Sequence, residues 1–536
     1  MASATEQGDK AGAASAEGGV EALPGKARRG REWEPAHPDP AAAPALPELR
    51  EPRPYVTRYP IPDEEFRELK GAAPNTDLRE ATAQPVRDSR AKKLELGSLA
   101  MAPAATPPGL PPLPALTGAN NFAGIPSTGW IPPDCTMAVG PDHVLASVNS
   151  SVAIFSKAGG GALLQRTLTQ WFANVAQDMT IFDPKALFDQ HNGRWVLLAV
   201  AVKNSPMKSF HLLSVSATAD PLGTWRNYAL DAKRDGSTTT GNWADYPALG
   251  VDAGALYITS NMFQFNGGFQ YAKIRVVPKA GPYSGGTAPF TDFVRMRNAD
   301  GTMAFTIQPC HTFGAPQVEY LVNSAFPQGD YLTIWSIAGP PGAPALNRKQ
   351  VGVSPYSLPP NADQNGGAPP LNTGDVRALH AVFRGDSLWT ALNTAHNWGG
   401  ATNRSSILWC QIRAASPTVV QQGLFGTNTH HYFYPACCPD NNGNMIAVFS
   451  RSSASGFGSV LFTGRRATDP LGTLQPSILL KAGTAAYFNQ DGSGRNRWGD
   501  YCGVSADPSN PRSIWFYSEY ASALNTWGTW IGSAFF

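Results

Sequence analysis

The sequence predicts an all-β chain, a β-propeller of seven blades carried behind a long N-terminal arm. Three observations predict it. One hairpin unit recurs seven times at a period of roughly 50–70 residues, which calls for a propeller or an array. The units hold short strands punctuated by Gly and aromatic residues, with no helix of convincing length. Composition changes abruptly near residue 100: the first 100 residues hold 15 Lys+Arg and 17 Asp+Glu, the remaining 436 hold 27 and 23.

The arm comes first. Residues 1–100 are rich in charge, Pro and Ala and poor in large apolar side chains, so burial cannot offset the entropy of ordering them. Residues 1–60 read as disordered, with PAHPDPAAAPALPELREPRP prone to polyproline II. Asp63–Lys70 (DEEFRELK) predicts one short helix capped by Asp63. Residues 101–117 form a Pro-rich, semi-rigid linker. A solvated leader is the expectation for the arm, with docking of a protein partner as the alternative. Residues 118–536 carry the other 13 tryptophans of the chain's 14 and make the propeller.

The unit opens with a short strand, often at Asp. A turn follows, then a strongly apolar strand ending in a polar residue, usually Asn. The openings are Asp134, Asp183, Asp245, Gln308, Arg377, Tyr434 and Asp500. The matching ends are Asn149, Asn204, Asn261, Asn323, Asn393, Ser450 and Glu519. Seven openings predict seven blades, with six or eight as the alternatives. Farther along the units, ATADPLGTW (Ala217 to Trp225) matches ATDPLGTL (Ala467 to Leu474). Asp-Pro-x-Gly is turn chemistry, read here as the link between a blade's third and fourth strands. The last unit has three strands, near 503–506, 513–520 and 526–536. An unpaired edge must be covered, so the segment from Asn120 to Trp130 is predicted to supply the missing outer strand. Two stacked β-sandwiches are the other all-β solution, and they predict no seven-fold hairpin.

The stretch RWGDYCGVSADPSNPRSIWFYSEY, Arg497 to Tyr520, resembles a Gly-Asp-Tyr…Asp-Pro…Trp…Glu-Tyr pattern of large bacterial propeller proteins without an assigned function. ADPSNPRSIWF is also similar to the Asp-Pro-x-Asn-Pro turn of sialidase-like and sortilin-like propellers. The resemblance covers residues 118–536 loosely and the last motif well. It implies the fold and leaves the activity open.

Several functions are disfavoured. The net charge is +2 over the chain and +4 beyond residue 100, with no basic stripe, so nucleic acid is a poor partner. The longest apolar run, Trp195 to Val202, is too short to span a membrane. No secretory h-region is visible at the N-terminus, which points to a cytoplasmic or non-classically exported protein. Six cysteines without C-x-x-C spacing read as buried thiols. DNNGN, from Asp440, reads as a hairpin turn rather than a calcium loop.

In a blade, the start of the first strand and the end of the second share a face beside the central channel. One mouth should therefore be ringed by Asp and Asn, with Arg, His and Glu in the later units. Asp at such openings commonly binds backbone N–H groups of the neighbouring blade. Three functional readings remain. The favoured one is a module that binds a glycan or another polar ligand, with Arg377, Arg451, Arg497, Asp183, Asp245, Asp500, Asn149, Asn261, Asn323 and Asn393 as ligand-binding candidates and Trp398 as a stacking ring. The second is a sialidase-like glycoside hydrolase for an acidic sugar: the arginines clamp a carboxylate, and Asp134, Glu519 and Tyr520 are the catalytic candidates. The third is a metal site. The Asp/Asn ring would suit calcium, or His311, His380, His430 and His431 would hold copper or iron for oxidoreductase chemistry, with Cys135, Cys310, Cys438 and Cys502 as soft ligands.

Overall fold

The apolar alternating runs form four-stranded antiparallel meanders. In the computed structural model the described residues are the backbone of 23–26 and 28–33, and then residues 117–491 and 494–536. Thr136–Val139, His143–Val148, Ser151–Ser156 and Leu164–Thr167 make one sheet in chain order. Comparable sheets run from Thr180–Asp189 to Trp225–Asp231, from Gln308–Pro309 to Ala345–Ser357 and from His431–Pro439 to Ile478–Lys481. A ten-stranded sheet holds two further meanders, Asn242–Val251 to Pro289–Val294 and Ala378–Arg384 to Thr418–Phe425. Among the described residues its two halves are joined through His311–Thr312, which makes parallel bridges to Val251 and to Val382 and Phe383.

The innermost strands close a circuit. Thr136–Val139 packs on Thr180–Asp189, which packs on Asn242–Val251; the circuit continues through Gln308–Pro309, Ala378–Arg384, His431–Pro439 and Gly503–Ala506, back to Thr136–Val139. The chain is thus an all-β propeller. Between neighbouring sheets the core is aromatic and aliphatic: Trp171, Trp195, Trp225, Trp243, Trp335, Trp409, Trp498, Trp515 and Trp527 are almost wholly buried.

Closure occurs as the edge argument requires. Thr117–Pro126 pairs antiparallel with Thr526–Phe535 and completes the last sheet. Ile125 is fully buried, its carbonyl accepts from Thr529 Oγ1 at 2.6 Å, and Trp527 Nε1 donates to the Trp130 carbonyl at 2.7 Å. A second clasp on this seam joins Lys157 Nζ to Asp507 at 2.7 Å, and Asp507 also accepts from Trp515 Nε1.

The Asp-Pro-x-Gly segment after Ser216 links the third and fourth strands of its sheet, and Asp440 caps a hairpin turn by accepting from the Asn442 and Asn444 N–H groups. Within the arm, only two short segments are among the described residues. Leu23–Lys26 pairs with Pro289–Val294, and Arg28–Trp33 pairs with Trp225–Asp231, each as an added outer strand. The expected helix at 63–70 and the linker before Thr117 lie outside the described residues. No helix among the described residues is long and apolar enough to cross a membrane.

Candidate functional site

The repeat works by one local device. Where the innermost strand begins, several units hold a residue with left-handed backbone: Asp134 (φ 52°), Asp183 (φ 50°), Tyr246 (φ 49°), Thr306 (φ 49°) and Tyr434 (φ 53°). For a residue with a Cβ this conformation costs roughly 1–2 kcal/mol. At four of the five it persists because a side chain from another unit fixes the N–H group. Asn149 accepts from the Asp183 N–H at 2.7 Å, Asp183 from Tyr246 at 3.1 Å, Asn261 from Thr306 at 2.9 Å and Asn393 from Tyr434 at 2.7 Å. Asp134 accepts from the Asp500 N–H at 2.7 Å, across the closing seam. In three units the left-handed residue precedes Pro and sits at a register break of the strand pair: Asp183, Tyr246 and Tyr434.

These bonds define what the ring residues do. Asn149, Asn261 and Asn393 hold backbone, and Asn149 Nδ2 also donates to Asp134 at 2.7 Å. Asn323 accepts from Trp335 Nε1 at 2.7 Å and donates to Asn298. The repeat as read in sequence places Asp245 at the third opening, but the left-handed residue is Tyr246, one position on; Asp245 pairs across the sheet with Asn261.

What remains at the mouth is a knot of charge and tyrosine. Arg377 makes a bidentate pair with Asp375, at 2.8 and 2.6 Å, and stacks on Tyr246 at 4.2 Å. Arg497 pairs with Asp500 at 3.0 Å. These four side chains keep some contact with solvent: Arg377 16%, Asp375 14%, Arg497 13% and Asp500 26%. Tyr246 and Tyr501 meet edge to face at 5.8 Å. Their hydroxyls donate to the carbonyls of Asp500 and Pro184 respectively. Two segments beside this mouth, 358–377 and 482–502 apart from 492–493, bind each other. Gln364 and Tyr487 exchange two hydrogen bonds, and Asn496 Nδ2 donates to the Pro369 carbonyl at 3.0 Å.

Beneath the mouth the charges are desolvated. Asp134 is 1% exposed; burial and the neighbouring Asp500 raise its pKa to about 7, against the pull of Arg497 and Lys185. Burial and Asp134 push Glu519 well above the usual carboxylate range; its Oε1 accepts from the Gly499 N–H and its Oε2 is buried with no hydrogen-bond partner among the described residues. Lys185 was invisible as a site residue, because one Lys in a strand reads as surface. Its ammonium lies 2.8 Å above the Tyr501 ring, and burial lowers its pKa to about 7 despite Asp183, Asp134 and Asp500.

A pH prediction follows from the signs. Between about pH 4 and 7 the native chain holds a proton on Asp134 that the unfolded chain has lost. Stability from this group is full below the unfolded value and falls as pH rises to about 7. Lys185 acts oppositely: between about pH 7 and 10.5 the unfolded chain holds the extra proton, so stability rises with pH there. Urea titrations of wild type and Asp134→Asn should therefore show the variant losing less stability between pH 4 and 7. Parallel pH curves for the two proteins would refute the assignment.

Other candidates lie elsewhere. Tyr520 faces outward, against Trp530 at 6.1 Å and the Lys481 ammonium at 5.3 Å. Arg451 pairs across its sheet with Tyr432 and lies near His430. His431 contacts Asp363 and Arg404, and burial lowers its pKa to about 4. His311 Nε2 is 2.7 Å from Gln190 Oε1, and its ring stacks on Phe313. His311 and His380 line one cavity, apart from the adjacent His430 and His431, so the four do not form one site, and among the described residues no three His, Cys, Asp or Glu side chains are grouped to hold a metal ion. All six cysteines are free and buried, and burial raises their pKa, Cys438 and Cys502 to about 12. Trp398 is half-buried, with Nε1 donating to Ser406 Oγ at 2.9 Å.

No family model and no curated protein sequence matches the chain. Among solved structures it is similar to the Penicillium chrysogenum alpha-L-arabinanase complexed with arabinobiose, at 11% identity and a TM-score of 0.35, covering 77% of this chain and 98% of that one. It is also similar to the Trypanosoma rangeli sialidase in complex with the inhibitor DANA, at 9% identity and a TM-score of 0.32, covering 75% and 58%. The WD40 domain of SCAP from fission yeast matches at 10% identity and a TM-score of 0.32, covering 75% and 81%. Nothing about function follows from likeness at this level.

Proposed function

We propose that the chain is a seven-bladed propeller that binds a neutral glycan at the channel mouth, as a recognition module. The count treats the ten-stranded sheet as two blades joined by the short bridge at His311–Thr312. The observation that carries the binding reading is the pair of Arg–Asp couples at the mouth, Arg377–Asp375 and Arg497–Asp500, still partly open to solvent. Each couple offers donors and acceptors side by side. A sugar hydroxyl both donates and accepts, so adjacent hydroxyls fit such couples. The Tyr246 ring under Arg377 supplies an apolar flank.

The couples favour a neutral sugar over an acidic one. Two of the three arginines that would clamp a carboxylate already hold the carboxylates of Asp375 and Asp500. The hydrolase alternative rests on Asp134 and Glu519 as acid and base. They are 1% and 3% exposed, beneath the mouth, so a glycosidic bond would reach them only after the Arg–Asp couples opened.

An array of neutral and acidic oligosaccharides, probed with the full chain, tests this. Neutral glycans should be retained, and Arg497→Met should weaken binding about ten- to a hundredfold, the range for a lost hydrogen bond to a charged group. Failure to retain any glycan, or retention indifferent to both Arg497→Met and Arg377→Met, would sink the reading.

A further inference from the structure

An open groove of about 500 Å³ lies between the segment around Asp300 and the hairpin that joins Val318–Ser324 to Gln328–Ala338. That volume falls in the range of ligand sites, about 300–1,000 Å³. The hairpin follows Asn323, a second-strand end, so the groove opens on the face of the channel mouth. It begins beside the Arg377–Asp375 couple. Ser324 Oγ, at the edge of the hairpin, donates to the carbonyl of Val376, the residue between the two, at 2.7 Å. Aromatic rings make the same connection. The Arg377 guanidinium lies 5.0 Å from the Phe305 ring centroid, and Phe305 meets Phe326, in the groove wall, at 5.3 Å.

The walls are tied in place. Tyr331 Oη donates to the Asp300 carboxylate at 2.5 Å, and Thr302 Oγ1 donates to it at 2.6 Å. Tyr356 Oη donates to the Tyr331 carbonyl at 2.6 Å and accepts from the Ala325 N–H at 2.8 Å. A ligand laid in the groove therefore orders little of the protein, which keeps the cost of binding low. The lining selects the ligand. Its charged side chains are the exposed carboxylates of Asp300 and Asp330, which accept from hydroxyls and repel an anion. The exposed Gln328 amide both donates and accepts, and the half-buried Phe326 offers part of its ring. An ammonium would use the carboxylates alone; a run of sugar hydroxyls uses the carboxylates, the amide and the ring together. Resting on the reading of the mouth as a glycan site, we propose that this groove is its outer subsite. The ligand is then an extended neutral oligosaccharide that runs from the Arg377–Asp375 couple outward along the hairpin 324–331, and not a single terminal sugar.

Chain length separates the groove from the mouth. Ladders of neutral cello-, malto-, manno-, xylo- and galacto-oligosaccharides, each from the disaccharide to the octasaccharide, are titrated into the full chain by calorimetry. In the ladder that binds, affinity should rise about tenfold from the disaccharide to the pentasaccharide and then level, the gain expected from a further hydrogen bond to a charged group. Asp330→Ala and Gln328→Ala change exposed side chains, so both variants should fold. Each should flatten the rise and leave the disaccharide affinity as it is in wild type. Arg497→Met should lower the affinity of every member. A ladder of even affinity that Arg497→Met still weakens throughout would overturn the outer subsite and leave the mouth reading standing. A rise that both groove variants keep would do the same. Binding of no ladder at any length would remove the subsite and the mouth reading together.

Discussion

Asp292→Ala should lower the unfolding free energy by about 3–5 kcal/mol, the range for removing one partner of a buried ion pair. Asp292 and Arg275 are both fully buried and joined through two bonds, at 2.7 and 2.8 Å. The guanidinium also donates to the carbonyls of Asp231 and Arg234, and it lies 3.6 Å from the Phe290 ring centroid. Asp292 in turn accepts from the Gly236 N–H at 3.0 Å. The pair thus fastens the loop after Asp231 onto the neighbouring meander. Without Asp292 the guanidinium is left charged and buried, with carbonyl oxygens only. The double change Arg275→Met with Asp292→Leu should cost less than Asp292→Ala alone, because it leaves no unpaired charge. Urea unfolding of the three proteins measures this. A loss under about 1 kcal/mol for Asp292→Ala would show that water reaches the pair.

The second large effect concerns ring closure. A chain lacking residues 1–116 should fold, because Thr117–Pro126 remains to pair with Thr526–Phe535. A chain lacking residues 1–126 should aggregate. It exposes the edge of Thr526–Phe535, a long apolar strand with unpaired N–H and C=O groups, and such an edge templates association. It also removes Ile125 from the core and uncovers Trp515, against which Phe122 packs at 6.4 Å. Size-exclusion chromatography and amide hydrogen exchange compare the two. A monomeric second chain, with Thr526–Phe535 still protected from exchange, would show that another segment covers the edge.

The local features of the fold were legible in the sequence for clear reasons. Hairpin openings, apolar second strands and Asp-Pro-x-Gly turns are encoded in short stretches. Period-two alternation and turn chemistry therefore located them, and the shortage of strands in the last unit located the closing strand. The site was legible in part. Asp134, Asp183, Asp500, Arg377, Arg497 and Glu519 do meet beside the channel, because the start of each first strand and the end of each second strand share one face. Their duties were not legible. The sequence offers Asn149, Asn261 and Asn393 as ligand-binding side chains; each holds a backbone N–H of the next unit, a partner dozens of residues away.

Lys273 and Arg275 show the same division from the other side. In YAKIRVV they alternate with apolar residues and read as the wet face of a strand. They are fully buried, because the loop 232–241 folds over them and supplies Asp235 and several carbonyls. Lys185 likewise sits among Asp183 of its own strand and Asp134 and Asp500 from two distant segments. The sequence alone determined the strands, the turns, the recurrence and the need to close the ring, since each depends on neighbours along the chain. Only the tertiary structure decided which charges are paired, which are desolvated and which still face solvent. Burial and pairing are set by whatever packs across the seam between units, and no local pattern records that.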